Sequence, residues 1–335
     1  METMPTINED INKKRNKEVA VLGILLILYH YAAQFFVYVF YFVSHAVLSG
    51  NFTLSWDEVK RYFSGKESLV NSTAFQMTAN ISITSVSILI ILLIARLSIK
   101  LTVWSCFKPT KSNVKIGFKW LGPCFVFNMI SSTIISFITS FLGSMGISVP
   151  TSDFSIREPS VFAVIMQIAY IIVLAPVFEE VIYRGLILKV ITPYSKSAAI
   201  LVSALAFGLM HGNIPQAASA FCTGLIYAII ALKCGSIIPT IIIHSLNNLI
   251  VNAPELAGAM GIPYNQTVLS IIEIGVGLFG FFMWFTQFRF MKYDDTNPSP
   301  EKTLALKKVM TNPLIIIYFA ILVFIIFKRI FQANT

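Results

Sequence analysis

Nine runs of almost wholly apolar residues dominate this chain, at about 19–48, 77–98, 119–145, 161–188, 197–212, 215–232, 236–252, 267–287 and 313–328. A run near ~20 residues matches the ~30 Å hydrocarbon core of a bilayer. Inside that core each backbone N–H and C=O must find its partner within the protein, and an apolar run of this length does so as a helix. The expected fold is therefore all-α: a polytopic membrane helix bundle of about 8–9 transmembrane helices, with no soluble domain and no internal repeat. The first run is long enough to tilt or to extend past the bilayer. The ninth ends on Lys328 and Arg329 and is read either as a last span or as an interfacial segment.

Composition excludes the soluble alternative. Hydrophobic residues make up 56% of the 335 and charged residues only 12%, about half the charge of a soluble domain. The formal net charge of +9 is gathered between the apolar runs. Lys13, Lys14, Arg15 and Lys17 precede the first run. Lys100, Lys108, Lys111, Lys115 and Lys119 separate the second from the third. Arg184, Lys189 and Lys196 follow the fourth, Lys233 the sixth, and Arg289, Lys292, Lys302, Lys307 and Lys308 the eighth. Simple threading puts these on one side, which the positive-inside rule assigns to the cytoplasm together with the N-terminus. The expected location is a cell membrane, crossed several times. No aromatic-interleaved basic stripe points to nucleic acid. The stretch from Leu54 to Phe63 has amphipathic spacing and is read as an interfacial helix or a polar loop. Cys106, Cys124, Cys222 and Cys234 lack CxxC spacing, so they read as small buried residues.

Ionisable groups inside an apolar span are expensive and need a reason. The informative ones lie between residues 174 and 248. Glu179, Glu180 and Arg184 share the fourth run. Glu180 and Arg184 stand at i and i+4, on one face, where they can pair. Glu179 points about 100° away from Glu180 and is left free. The fifth run ends Phe207-Gly-Leu-Met-His211, and the seventh contains His244-Ser-Leu-Asn-Asn248. Each feature alone reads as a structural polar contact. Their depths agree, however. At ~1.5 Å of rise per residue, Glu179 lies roughly 16 Å, His211 roughly 21 Å, His244 roughly 12 Å and Asn248 roughly 18 Å from the basic ends of their helices. His30 and His45, in the first run, look like isolated polar residues.

A carboxylate in an apolar pocket is poorly solvated and so a ready proton acceptor. Glu179, helped by His211, would take a proton from water, and the hydroxide would attack a peptide carbonyl. His244 and Asn248 would donate to the developing oxyanion. No serine or cysteine nucleophile is needed, and no cofactor motif is present.

These residues carry a resemblance. The chain resembles the CAAX protease and bacteriocin-processing family, the group containing the Ras-converting CAAX prenyl endopeptidases. That family shows Glu-Glu-x-x-x-Arg, then Phe-x-x-x-His, then His-x-x-x-Asn. Here these are Glu179-Glu180-Val-Ile-Tyr-Arg184, Phe207-Gly-Leu-Met-His211 and His244-Ser-Leu-Asn-Asn248. The resemblance implies a glutamate-type intramembrane endopeptidase. In it Glu179 and His211 activate water, His244 and Asn248 form the oxyanion site, and Glu180, Arg184 and Phe207 support them. The implied substrate is a membrane-associated peptide or protein, prenylated or not. The organisation expected is a cytoplasmic segment 1–18, N-terminal membrane helices 19–160, a catalytic core 161–252 and C-terminal membrane helices 253–335. Three alternatives stand beside it. One is a zinc-dependent protease using the two histidines and Glu179, although no His-Glu-x-x-His occurs. Another is a membrane immunity or binding protein that keeps the pocket without hydrolysis. The last is a transporter, for which Asn128 and Glu273 supply further intramembrane polar groups.

Overall fold

The structure is a computed structural model that describes residues 7–50, 72–108, 111–152, 155–158, 160–263, 266–291 and 307–335. The Leu54 to Phe63 stretch, Lys292, Lys302 and the side chains of Glu273 and Arg289 lie outside the described residues. Among the described residues there is no strand. Among the described residues the nine apolar runs become nine helices: α1 Ile7–Ser49, α2 Thr73–Ile99, α3 Lys111–Ser144, α4 Val161–Ile191, α5 Lys196–Leu209, α6 Ile214–Cys234, α7 Ile238–Ala259, α8 Gln266–Met291 and α9 Pro313–Asn334. Six of them, α1 to α4, α6 and α9, are long and apolar enough to cross a membrane. The chain is thus an all-helical, polytopic bundle.

Local chemistry sets the helix starts. Ser72, Ser160 and Ser195 each accept, through Oγ, the N–H of the residue three positions on. Asn213 Oδ1 accepts from Gln216 N at 2.9 Å, and Asn312 Oδ1 from Leu314 N at 3.1 Å. These side chains satisfy donors that the first helical turn leaves open. Pro215, Pro239 and Pro313 occupy first-turn positions, where no N–H is needed. Several helices outrun their apolar runs. α1 begins in the polar segment before Glu18, and α7 continues through Pro254 to Ala259. α5 is shorter than its run and stops at Leu209, because the chain turns at Gly212, whose φ is +69°. His211 therefore sits just beyond the helix rather than within it, although its ring still packs against Phe207.

α4 lies at the centre, touching α2, α5, α6 and α7. Its buried side chains, among them Ile182, Tyr183, Leu186, Ile187 and Ile191, join the main core with residues of α1, α2, α3, α5, α6 and α9. α5 and α6 pack closely. A Cβ at Gly208 would stand 2.5 Å from Ala217 O, so only glycine permits that approach.

The bundle has two chemically distinct ends. At one, Lys189 Nζ donates to Thr102 O at 2.6 Å and to Ser105 Oγ. Lys233 lies over the Trp120 ring, and Tyr194 hydroxyl bonds to Glu18 beside Arg15. At the other, Glu158 accepts from Ala74 N at 2.9 Å, Glu255 accepts from Ile156 N at 2.7 Å, and Asn334 bonds to Ser148.

Candidate active site

The central helix is wound irregularly around the glutamate pair. Ile168–Leu174 and Val181–Leu188 take π-helical winding on either side of the α-helical Ala175–Glu180. Proline explains the first of these. Pro176 has no N–H to offer the preceding turn, and Ala175 N–H reaches back five residues to Tyr170 O. The Ile171 carbonyl loses its usual helical donor. Asn248 Nδ2 fills the gap, donating to Ile171 O at 2.8 Å. A buried backbone carbonyl is thereby satisfied from a neighbouring helix. One N–H of the Asn248 amide is thus engaged; an amide carries two.

The two adjacent carboxylates have different surroundings. Glu180 is fully buried, with 0% side-chain exposure. Its Oε1 accepts from Arg184 Nη1 at 2.9 Å and lies 3.2 Å from His244 Nδ1. Arg184 Nη2 donates onward to Gly224 O at 3.1 Å. The guanidinium lies over the Phe207 and Tyr227 rings, at 4.6 and 5.3 Å from their centroids. That π contact adds to the ion pair in holding a charge inside the bundle. At Gly224 a Cβ would come within 3.0 Å of Phe207 Cδ1, so this glycine also sets how close Phe207 approaches α6.

Glu179 faces open space instead. Its side chain is 20% exposed, and Oε2 lies 3.5 Å from His244 Nε2. His244 therefore stands between the two glutamates, one ring nitrogen toward each. Its ring rests on Phe207 and Tyr227. Glu179 lines a cleft of about 610 Å³ shared with His211, His244 and Asn248. It also lines a smaller cavity of about 190 Å³, walled by Tyr29, Tyr170, Tyr183 and Tyr318.

His211 is held by its Nδ1, which lies 2.9 Å from Phe207 O and 3.3 Å from Gly208 O. Carbonyl oxygens only accept, so Nδ1 carries a proton, and in the neutral ring Nε2 is the acceptor. Phe207 is the common platform: Tyr183, His211, His244, Tyr227 and Arg184 all contact its ring.

The structure thus gathers all four residues singled out from the sequence, Glu179, His211, His244 and Asn248, around one cleft. Sequence spacing did not disclose three features: the Glu180–His244 contact, the tyrosine-walled cavity behind Glu179, and the bond from Asn128 Nδ2 to Asn247 Oδ1 at 2.8 Å. The first two depend on packing between helices. For the third the signal was present, since both asparagines lie inside apolar runs. Among the described residues, no group of three His, Cys, Asp or Glu side chains is arranged as a metal site.

Fold and site together define a polytopic helical membrane protein with a carboxylate and imidazole cluster inside the bundle. Residues 161–250 match the family model described as type II CAAX prenyl endopeptidase Rce1-like. The matched stretch runs from the start of α4 into α7 and contains Glu179, Glu180, Arg184, Phe207, His211, His244 and Asn248. Comparison with curated proteins and with solved structures finds no match to the chain.

Proposed function

We propose that the chain is an intramembrane endopeptidase of the glutamate type, hydrolysing a peptide bond of a membrane-associated peptide or protein. The observation that carries this reading is the division of labour between the two glutamates. Glu180 is closed in by Arg184 and His244, whereas Glu179 reaches the cleft.

In the reaction, Glu179 takes a proton from a water molecule in the cleft, with the unprotonated Nε2 of His211 as a second acceptor to orient it. The water oxygen bonds to the peptide carbonyl carbon, and the carbonyl electrons move onto oxygen. The second N–H of Asn248 donates to that oxyanion, as does Nε2–H of His244 in the ring form that carries a proton on both nitrogens. A donor placed in this way is worth ~3 kcal/mol in a water-poor site. Collapse of the intermediate breaks the C–N bond, and Glu179 passes its proton to the leaving nitrogen. Glu180 holds Nδ1 of His244, fixing the ring so that Nε2 faces the reacting atoms.

The test is cleavage of membrane-anchored peptides by the purified chain. Glu179→Gln and His211→Ala are expected to lower turnover by about 10²–10⁴-fold while leaving the protein folded. Full turnover by Glu179→Gln overturns the mechanism. A biological phenotype that survives this substitution favours the binding or immunity reading instead.

A further inference from the structure

The cleft has a direction. Glu179, Tyr227 and His244 lie at its depth, and most of the remaining lining comes from the helix halves farthest from the lysines. In α6 it takes Gln216 and Ser219, near the start at Ile214, whereas Lys233 lies at the other end. In α4 it takes Tyr170, Ile171 and Ala175, with Lys189 at the far end. In α3 it takes Asn128, Ser132, Ile135, Ser136 and Thr139, with Lys115 and Lys119 at the far end. In α7 it takes Val251 and Asn252, toward the end that Glu255 ties to Ile156. Its rim is a hydrogen-bonded cluster. Ser152 Oγ donates to Gln216 Oε1 at 2.7 Å, and Asn213 Nδ2 donates to the same oxygen at 2.6 Å. This rim belongs to the end of the bundle opposite Lys189, Lys196, Lys233 and Lys307.

Positive charge accumulates on the cytoplasmic side of a membrane protein. Among the described residues, Arg157, Lys328 and Arg329 are the basic residues at the cleft end, against a much larger number at the other; Lys60, Arg61 and Lys66, which follow α1 in sequence, lie outside the described residues. From this we infer that the cleft opens to the extracytoplasmic side, so that its substrate is a peptide segment presented outside the cytoplasm. Apart from Glu179 and the two histidines, the lining side chains carry no charge. The walls are hydroxyls, amides and apolar groups, so the segment they accommodate is itself uncharged. The substrate class rests on the protease reading above; the side of entry does not.

A labelling experiment separates the two. In the full chain with Cys106, Cys124, Cys222 and Cys234 replaced by serine or alanine, single cysteines are introduced as Gln216→Cys, Ser219→Cys and Lys196→Cys. A membrane-impermeant thiol reagent is then added to intact cells or to inverted membrane vesicles, with detergent-solubilised protein showing that each thiol can react. The expected result is labelling of Gln216→Cys and Ser219→Cys in intact cells, with Lys196→Cys labelled only in inverted vesicles. The reverse pattern overturns the inference. Adding Glu179→Gln leaves the labelling unchanged, so loss of catalysis and a wrong orientation give distinct results.

Discussion

His244 Nδ1 lies 3.2 Å from Glu180 Oε1, so the second glutamate of the pair bridges Arg184 and His244. The carboxylate that Arg184 neutralises also fixes the imidazole facing Glu179. An imidazole whose Nδ1 donates to a buried carboxylate is held in one orientation. The site is thus built in two layers. Arg184, Glu180 and Phe207 form an inner support, and Glu179, His211, His244 and Asn248 face the cleft.

The two glutamates are expected to fail differently. Glu180→Ala leaves Arg184 buried without its counter-charge, and breaking such a pair costs about 3–5 kcal/mol. A lowered unfolding temperature in detergent should accompany its loss of activity. Glu179→Ala should lose activity with an unchanged melting profile. Equal melting of the two variants would contradict the layered arrangement.

Phe207→Ala removes the ring that Arg184, His211 and His244 all contact, and should destabilise the bundle by about 3–5 kcal/mol. Phe207→Leu keeps most of the volume but not the π face. It is expected to retain the fold while losing about 1–2 kcal/mol of support for the guanidinium. Thermal unfolding of the two variants, measured together, separates volume from ring chemistry.

Gly208 is a point of close approach between α5 and α6. Gly208→Ala forces a methyl against Ala217 O and Phe221, with an expected penalty of about 1–3 kcal/mol. Because Gly208 adjoins Phe207, the substitution should also reduce activity. Gly143→Ala, where a Cβ meets nothing within 4 Å, is the control and should leave packing unchanged.

The Asn128–Asn247 bond links α3 to α7 at the cleft wall. A double-mutant cycle with alanine should give a coupling of about 0.6–1.7 kcal/mol, the scale of hydrogen bonds between membrane helices. Additive single effects in unfolding measurements would show that the contact adds no stability.

Much of this protein is local and was legible from residue order. Apolar length called for helices, capping serines, asparagines and prolines mark where several begin, and the i, i+4 spacing of Glu180 and Arg184 matches their 2.9 Å pair. The same spacing set Glu179 on another face, and it now lines the cleft. The outlines shifted where local pattern competed with backbone chemistry. His211 falls outside α5 because Gly212 turns the chain, and α4 is π-wound where Pro176 withholds a donor.

Tertiary structure decided the rest. That His244 reaches both glutamates, that Asn248 caps Ile171 O, that four tyrosines wall a cavity behind Glu179, and that the cleft faces away from the lysines all depend on how rods rotate and approach one another. Those rotations are set by contacts between residues distant in sequence, such as Gly117 against Pro239 and Gly224 against Phe207. Periodicity within one helix fixes which side chains share a face, but carries no information about which neighbour that face will meet.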